Sequence, residues 1–366
     1  MAAHVRPAVP EDYKGIMALR TRNGMLEMPE KNWRYIHESN PFRGAGGSEL
    51  ATGWAVEADD GTIVGYLGNI PLTYELAGES ITAAAMSTWI VDSEYRNYAL
   101  PMTRKYLQQT GVDLFLNTTA NQNASNFLEA MRIARVPVEE CDICLYWITD
   151  PKGFAESALR KLNAPFAKTL SYPGGLVLSA ANRLTTGALR SWSAGVTVQQ
   201  ISNIDERFDQ FWEERRRENV LRLRRDSSAL TWTLTCARRD GRKVWTLATV
   251  NGGKISGYGI FLLLENAEIG LKRMRVMDLQ VDQGDKKSTA AIIAEAVKIC
   301  GEEGVQVLEA IGFNSSKRAI FEEFGARRRQ LTNWRYYYKA KSPSLAEKLS
   351  VTGVWDPCNL DGDGCL

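Results

Sequence analysis

Two carboxylates in the second half of the chain have the placement of an acid–base pair. Asp278 lies in the run LKRMRVMDLQVD, and Glu309 lies in the apolar run VQVLEAIG. If the two runs form neighbouring strands, both side chains reach one groove, where they could bind an amine or act as a general base. A buried acid must be compensated, so ion pairing with Lys272, Arg273 or Arg275 is the alternative.

A second candidate is the segment VDSEYRNYALPM, residues 91–102. A strand that ends in VD, followed by a short loop that opens a helix, is typical of a phosphate-binding turn. Pro101 suits the first helical position, the helix dipole attracts an anion, and Arg96 and Arg104 supply positive charge. The usual glycines are replaced by Asn, Ala and Pro, so a plain connector is the alternative.

Composition limits the class of protein. The 366 residues exceed one typical core and predict two domains. A net charge of +2 creates no global field for nucleic acid, and we find neither a signal peptide nor a membrane-spanning run. Six scattered cysteines predict reduced thiols, a cytoplasmic protein and no metal. Only two histidines are present, so acid–base chemistry falls to carboxylates, tyrosine or substrate.

The chain repeats itself. ADDGTIVGY parallels VNGGKISGY, and NASNFLEAMRIA parallels NSSKRAIFEEFG, each about 191 residues later. Ordered matches at a nearly constant offset indicate a tandem duplication. By this repeat, the first-half counterparts of Asp278 and Glu309 are Thr88 and Thr118.

Each half shows the same order of elements. A strand and a helix precede an antiparallel meander, and helices then alternate with strands, which predicts a mixed α/β sheet. We predict a domain at 1–150, a helical bridging segment at 151–196, a second domain at 197–342 and an extended C-terminal tail at 343–366. The bridge is cationic, so a membrane-surface or partner-docking helix stands beside a purely structural link.

These motifs, in this order, resemble the GCN5-related N-acetyltransferase (GNAT) superfamily. VRPAVPEDYKGIMALR resembles its first strand and helix, DDGTIVGYLGNIPL its central hairpin, VDSEYRNYALPM its acyl-CoA loop, and NQNASNFLEAMRIARVP its later helix motif. The resemblance covers residues 1–150 well and 197–341 more faintly. It implies two tandem GNAT-like domains, with acyl-CoA as co-substrate and no tightly bound cofactor.

The resemblance also implies a donor site. Strand backbone would contact the pantetheine arm, and the loop with the next helix would hold the pyrophosphate. The residues implied are Trp89, Ile90, Val91, Arg96, Asn97, Tyr98, Ala99, Met102, Thr103, Arg104 and Asn123.

Three of these positions raise particular questions. Ala99 replaces a family glycine and would reach a positive φ only at a cost. Asn123 matches the motif asparagine, with a helix N-cap as alternative. The family's tyrosine acid is absent from its helix, so Tyr98 is a conceivable replacement acid. The second-half loop, VDQGDKKSTA, would bind no coenzyme.

The sequence thus predicts an N-acyltransferase. It would join an acyl group from acyl-CoA or acyl carrier protein to an amine of a small molecule or amino sugar. Distant similarity to Fem-type transferases suggests aminoacyl-tRNA as another donor, and the runs EERRRENVLRLRRDS and GARRRQLTNWRYYYKAK would suit RNA. Solvated or core positions for those residues are the structural alternative. A non-catalytic GNAT-fold binding protein is the third hypothesis.

Overall fold

The computed structural model describes residues 2–44, 50–163, 189, 191–332 and 334–366. Its first half begins with a strand and two helices, continues as an antiparallel meander, and ends with alternating helices and strands. These elements are β1 (Ala3–Pro7), α1 (Tyr13–Arg22), α2 (Glu30–Glu38), β2 (Gly53–Ala58), β3 (Ile63–Leu76), β4 (Glu79–Val91), α3 (Ala99–Leu107), β5 (Leu114–Ala120), α4 (Gln122–Ala130), β6 (Ala134–Arg135) and β7 (Ile143–Ile148).

The second half repeats this order after helix α5 (Pro151–Lys161). Its elements are β8 (Val198–Gln200), α6 (Glu206–Arg215), β9 (Arg222–Leu223), α7 (Ser227–Arg239), β10 (Val244–Asn251), β11 (Lys254–Asn266), β12 (Leu271–Val281), α8 (Lys286–Glu302), β13 (Val307–Ile311), α9 (Ser315–Glu323), β14 (Arg327–Gln330), β15 (Arg335–Ala340) and α10 (Pro343–Leu349).

Most of the predicted bridging segment, including nearly all of GLVLSAANRLTTGAL, lies outside the described residues. Membrane or partner docking by that segment therefore stays a prediction. Within the described ranges, none of the helices combines the length and the apolar character needed to cross a bilayer.

Two mixed sheets form the body of the molecule. The first has the strand order β1-β2-β3-β4-β5-β15-β6, with β9 paired to β3, and the second has the order β14-β7-β13-β12-β11-β10-β8. Neighbouring strands run antiparallel except β4 with β5 and β12 with β13. A parallel pair needs a crossover, which α3 and α8 supply. The predicted mixed α/β class is confirmed.

The two halves exchange their closing strands. β7 lies between β13 and β14 in the second sheet, and β15 lies between β5 and β6 in the first. The predicted domain at 1–150 instead assigned this closing strand, β7, to the first half. Alternation of apolar residues identifies a strand but not the edge that it joins. The buried rings of Tyr336, Tyr337 and Tyr338 therefore fill the core beside the first sheet.

The C-terminal segment, residues 350–366, is not the extended tail that the sequence predicted. It follows α10 and buries apolar side chains, among them Trp355, Cys358 and Leu360. The N–H of Leu360 donates to the carbonyl of Met277 (2.9 Å), and the Asn359 amide donates to the carbonyl of Ile311 (2.5 Å). The segment thus occupies the gap where β12 and β13 diverge, because its apolar groups and amides find partners there.

Gly362 lets this segment pack directly on β5. Its φ is +69°, and a Cβ there would lie 2.3 Å from Thr118 Oγ1. Both the left-handed backbone and the missing side chain are therefore required at this position.

We expect Gly362→Ala to lower the free energy of unfolding by about 1 to 3 kcal/mol through strain and overpacking. Gly353→Ala is the matched control, because Gly353 has φ +94° but open space around it. Urea unfolding of the two variants should show the larger loss at 362, partly restored by adding Thr118→Ala. Equal losses without restoration would contradict close packing of this segment on β5.

Candidate active site

A bulge interrupts β4. Its residues pair with β3 up to Ser87 and again at Ile90, so Thr88 and Trp89 stand opposite the single residue Leu67. Thr88 has φ +41°, which is uncommon for a β-branched residue. Bulges of this kind redirect side chains beside active sites.

A split opens between β4 and β5 at the same level. The two strands pair only from Ala83 to Ala85, after which β5 continues along β15 alone. The Asn117 amide donates across the split to Met86 Sδ (3.4 Å). In the described part of the chain, Asn117 Oδ1 and Thr118 Oγ1 are buried without hydrogen-bond partners. Because Gly362 of the C-terminal segment packs on Thr118, what the split offers a ligand is chiefly the unpaired backbone of β4 beyond Ala85.

A cavity of about 180 Å³ adjoins the bulge on the side of α1 and α2; we call it the bulge cavity. Its walls are mainly apolar, with Ile16, Met17, Met25, Met28, Trp33, Ile36, Tyr66 and Ile70. Its polar lining consists of Arg20, His37, Ser87, Thr88 and Asp363. None of the catalytic residues predicted from the sequence lines this cavity.

Arg20, on α1, donates a hydrogen bond to the bulge. Its Nη1 donates to Thr88 Oγ1 (2.9 Å), and its Nε and Nη2 donate to the carbonyl of Leu26. Burial lowers the pKa of Arg20, although a guanidinium stays charged at any physiological pH. The sequence signal was present: Arg20 lies four residues after the fully buried Ile16, on the inner face of an amphipathic helix.

Asp363 reaches the bulge cavity from the C-terminal segment. Thr119 Oγ1 donates to its carboxylate at 3.2 Å. Burial raises the pKa of Asp363 from 3.8 to about 6, so the group is ionised at neutral pH but is a stronger base than an ordinary aspartate. No local motif marks this residue, since its position depends on a contact 244 residues away in sequence.

His37 lies on the buried face of α2. Its ring packs edge-on against Trp33 at 4.9 Å between centroids. Burial lowers the pKa of His37 to about 4, which keeps the imidazole neutral at physiological pH. Its Nδ1 has no hydrogen-bond partner among the described residues.

The predicted acyl-CoA loop is a tight turn. Residues Ser93–Tyr98 form a 3₁₀ helix that runs directly into α3. Ala99 has φ −57°, so the strain expected at this position is absent, and its N–H donates to the carbonyl of Arg96. Pro101 is the third residue of α3 rather than the first. Arg96, Asn97 and Arg104 are exposed at this end of the helix.

The other predicted donor residues are divided between faces of β4 and α3. Trp89 packs edge-on against Phe127 of α4 at 4.9 Å, across the mouth of the split. Ile90 packs in the hydrophobic cluster that includes α1, and Val91 packs against a different hydrophobic cluster. Met102 and Thr103 are fully buried, so a contact of either residue with a donor stays a prediction.

Tyr98 ends the 3₁₀ turn, where catalysis by its hydroxyl stays a prediction, and Asn123 is not the N-cap of its helix. The Tyr98 hydroxyl accepts a hydrogen bond from the N–H of Ala3 (3.0 Å). Asn121, not Asn123, is the N-cap of α4, because its Oδ1 accepts from the N–H of Ala124. Asn123 is exposed on the first turn. A role in binding a donor stays a prediction for both residues.

Asp278 is held by a buried arginine. Its Oδ2 accepts from Arg225 Nε (2.7 Å) and from the hydroxyl of Tyr258 (3.1 Å), and its Oδ1 accepts from Gln280. Arg225 also contacts Asp361 at 3.3 Å. Neither Asp278 nor its partners Arg225 and Tyr258 line the bulge cavity.

Glu309 lies on the strand beside Asp278, as predicted, but in another ion pair. It is directly opposite Arg275 in the register and accepts from it at 2.6 Å, with Arg273 at 3.6 Å. The two carboxylates share no hydrogen-bond partner in the described chain, because the C-terminal segment occupies the groove between their strands. The ion-paired alternative thus describes Glu309, and catalysis by either acid stays a prediction.

A second cavity, of about 310 Å³, lies beyond β12 in the second half. It adjoins Asp282 and Gly284, in the counterpart of the donor loop, and the start of α9, which is the counterpart of α4. Its charges are paired: Asp282 with Arg215 (2.5 Å), and Asp356 with Lys317 (2.8 Å) and Arg222 (3.0 Å). The filled split beside it leaves no path for a pantetheine arm.

The arginine-rich runs are mostly structural. Arg215, Arg222 and Arg225 are buried and ion-paired, and Arg216 bonds Glu75 (2.8 Å). In the later run, Arg328 pairs with Glu140 at 2.6 Å. These arginines form ion pairs with carboxylates of the chain itself. Their charge is therefore not available as an argument for an RNA-borne donor.

We expect Asp278→Asn to lower the free energy of unfolding by about 3 kcal/mol, because it leaves the buried Arg225 undercompensated. Asp282→Asn is the control, since Asp282 is 71% exposed in its pair with Arg215 and should cost less than about 1 kcal/mol. Urea unfolding at pH 7 compares them. Similar small losses would show that the buried cluster does not constrain the fold.

Three solved structures share this architecture. An N-myristoyltransferase from Saccharomyces cerevisiae with bound myristoyl-CoA is 13% identical, with a TM-score of 0.58 over 93% of this chain and 86% of that one. A GCN5-related N-acetyltransferase from Anabaena variabilis ATCC 29413 is 12% identical (TM-score 0.54; 93% and 73%). A probable N-acyltransferase from Enterococcus faecalis V583 is also 12% identical (TM-score 0.58; 93% and 72%).

No protein-family model and no curated protein sequence matches the chain. The structural neighbours nevertheless cover nearly all of it, and they include GNAT enzymes and N-myristoyltransferases. Similarity to Fem-type transferases receives no support from these neighbours. The protein therefore has the GNAT fold, in two tandem copies.

Proposed function

We propose that the protein is an acyl-CoA-dependent N-acyltransferase whose first half carries the chemistry. The observation that supports this most is the split between β4 and β5, which stands directly beside a cavity containing a carboxylate with a raised pKa. Asp363 lines that cavity together with Thr88 of the bulge. An acyl donor in the split and an amine in the bulge cavity would meet at the bulge.

The residues of the split fit a thioester donor. Beyond Ala85, the edge of β4 that faces β5 has no strand partner in the described chain. The backbone of β4 can therefore pair there with the amides of a pantetheine arm. The unpartnered Asn117 Oδ1, buried beside this edge, is a further acceptor. The neighbour with bound myristoyl-CoA supports acyl-CoA as the donor.

The phosphate end would be held weakly. The 3₁₀ turn uses the N–H of Ala99, and Pro101 has none, so the cradle lacks two of its donors. Charge from Arg96 and Arg104 remains. We therefore assign most of the donor affinity to the split and the acyl chain rather than to the loop.

The chemistry is a direct transfer. Asp363 takes a proton from the acceptor ammonium, and the free amine attacks the thioester carbonyl. The new C–N bond forms as the C–S bond breaks, the proton that the nitrogen then loses passes to the coenzyme A thiolate, and Asp363 releases its own proton to solvent. Holding both substrates at the bulge supplies much of the rate through proximity, and a base with pKa near 6 is matched to neutral pH.

Stability should report the same ionisation without any substrate. Because folding raises the pKa of Asp363, the folded state binds a proton more readily between pH 4 and pH 6. Asp363 therefore makes the protein less stable as pH rises through this window, and the loss is complete above pH 6. Asp363→Asn should gain stability relative to the parent from pH 4 to pH 6 in urea unfolding. A pH-independent difference would contradict the raised pKa.

Activity should depend on the same group. With acyl-CoA and a mixture of primary amines, release of free thiol should accompany amide formation, and kcat/KM should rise with pH to a plateau above about pH 6. Asp363→Asn should lower kcat by about 100-fold or more.

Two controls accompany that assay. Asp282→Asn should keep the parent rate, because Asp282 pairs with Arg215 in the second half and does not line the bulge cavity. Acyl-CoA binding, measured by calorimetry, should persist in Asp363→Asn. Absence of thiol release with every donor length, or full activity of Asp363→Asn, would refute the proposed function.

A further inference from the structure

We propose that the acceptor is a small zwitterion: an α-amino acid with an apolar side chain, whose carboxylate binds Arg20 and whose amine faces Asp363. This proposal rests on the proposed function, because it names the substrate class of the same site. It depends on the charges and walls of the bulge cavity.

Arg20 is a cation without a counter-ion. Among the described residues, no carboxylate lies within ion-pair distance of its guanidinium, whereas its neighbour Arg22 bonds Asp92 at 2.6 Å. Asp240 interacts with Arg20 only through a Coulomb interaction beyond ion-pair distance. Its own ion-pair partner is Arg242, at 3.3 Å. A partly desolvated, unpaired guanidinium is costly, and a ligand carboxylate would offset that cost.

The geometry leaves room for that carboxylate. Three of the five guanidinium N–H groups of Arg20 are used, two on Leu26 and one on Thr88. Two N–H groups remain, on Nη1 and Nη2. These bonds also fix the orientation of the guanidinium, which is the arrangement that binds carboxylates well.

The rest of the cavity matches a zwitterion. With His37 neutral, the charged side chains of the lining are Arg20, a cation, and Asp363, an anion. The free Nδ1 of His37, whose side chain is more than nine-tenths buried, offers one further polar contact. An amine alone would satisfy only the carboxylate and leave Arg20 unpaired.

Size and walls select against larger or more polar acceptors. About 180 Å³ is well below the roughly 300 Å³ at which cavities hold drug-sized ligands. Met17, Met28 and Trp33 supply adaptable apolar contacts. An amino sugar carries several hydroxyls, and this lining offers them too few partners, so that acceptor class is disfavoured.

The test compares amines that differ only in the carboxylate. Leucine and phenylalanine are matched with their decarboxylated counterparts, 3-methylbutylamine and phenethylamine, using one acyl-CoA. We expect kcat/KM to favour the amino acids at least about tenfold, the contribution of hydrogen bonds to a charged group. Arg20→Gln should abolish this preference, and Arg22→Gln, on the same helix but bonded to Asp92, should keep it.

Leucine binding provides a second readout that needs no turnover. Calorimetric titration with leucine alone should show binding to the parent and to Arg22→Gln, but not to Arg20→Gln. Leucine binding without acylation of any amine would refute the proposed function and with it the role of the amino acid as acceptor, leaving only its recognition by Arg20. Acylation with no preference for the amino acids would refute this inference alone, as would the absence of leucine binding.

Discussion

A single buried guanidinium joins the parts of this molecule. Arg225 donates to Asp278 of β12 (2.7 Å), contacts Asp361 of the C-terminal segment (3.3 Å), and donates to the carbonyl of Leu223 (2.6 Å). Leu223 belongs to β9, which pairs with β3 of the first sheet. Such a cluster adds little stability compared with apolar packing, but no member can be removed cheaply. Its effect is to fix where the C-terminal segment crosses from one half to the other.

The position of the candidate site depends on where the C-terminal segment crosses between the halves. Beyond Asp361, Gly362 lies against Thr118, and this contact brings Asp363 to the bulge cavity. The same segment fills the split of the second half through Leu360. One piece of chain thus closes one copy of the fold and supplies a carboxylate to the other. Under the proposed function the second half supports chemistry in the first, and its own carboxylates Asp278 and Glu309 are committed to ion pairs.

Local patterns predicted the elements, and long-range contacts decided the rest. The repeat, the alternating elements and the adjacency of β12 and β13 could be predicted, because each depends on residues close in sequence or on periodicity. The exchange of β7 and β15 could not, since an alternating strand fits several edges. Missing glycines predicted strain at Ala99, yet a 3₁₀ turn removes the need for a positive φ. Asp363 had no local signal at all.

Comparison of the two copies explains why Arg20 is unpaired. In the second half, Asp278 bonds Arg225 and Tyr258; its repeat counterpart Thr88 bonds Arg20, beside Tyr66 in the same cavity wall. An arginine thus bonds this strand position in each copy, although Arg20 and Arg225 come from different elements of the repeat. In the second copy the chain supplies the carboxylates and the site becomes core. In the first copy a threonine replaces the acid, and the proposed ligand carboxylate would supply the counter-ion.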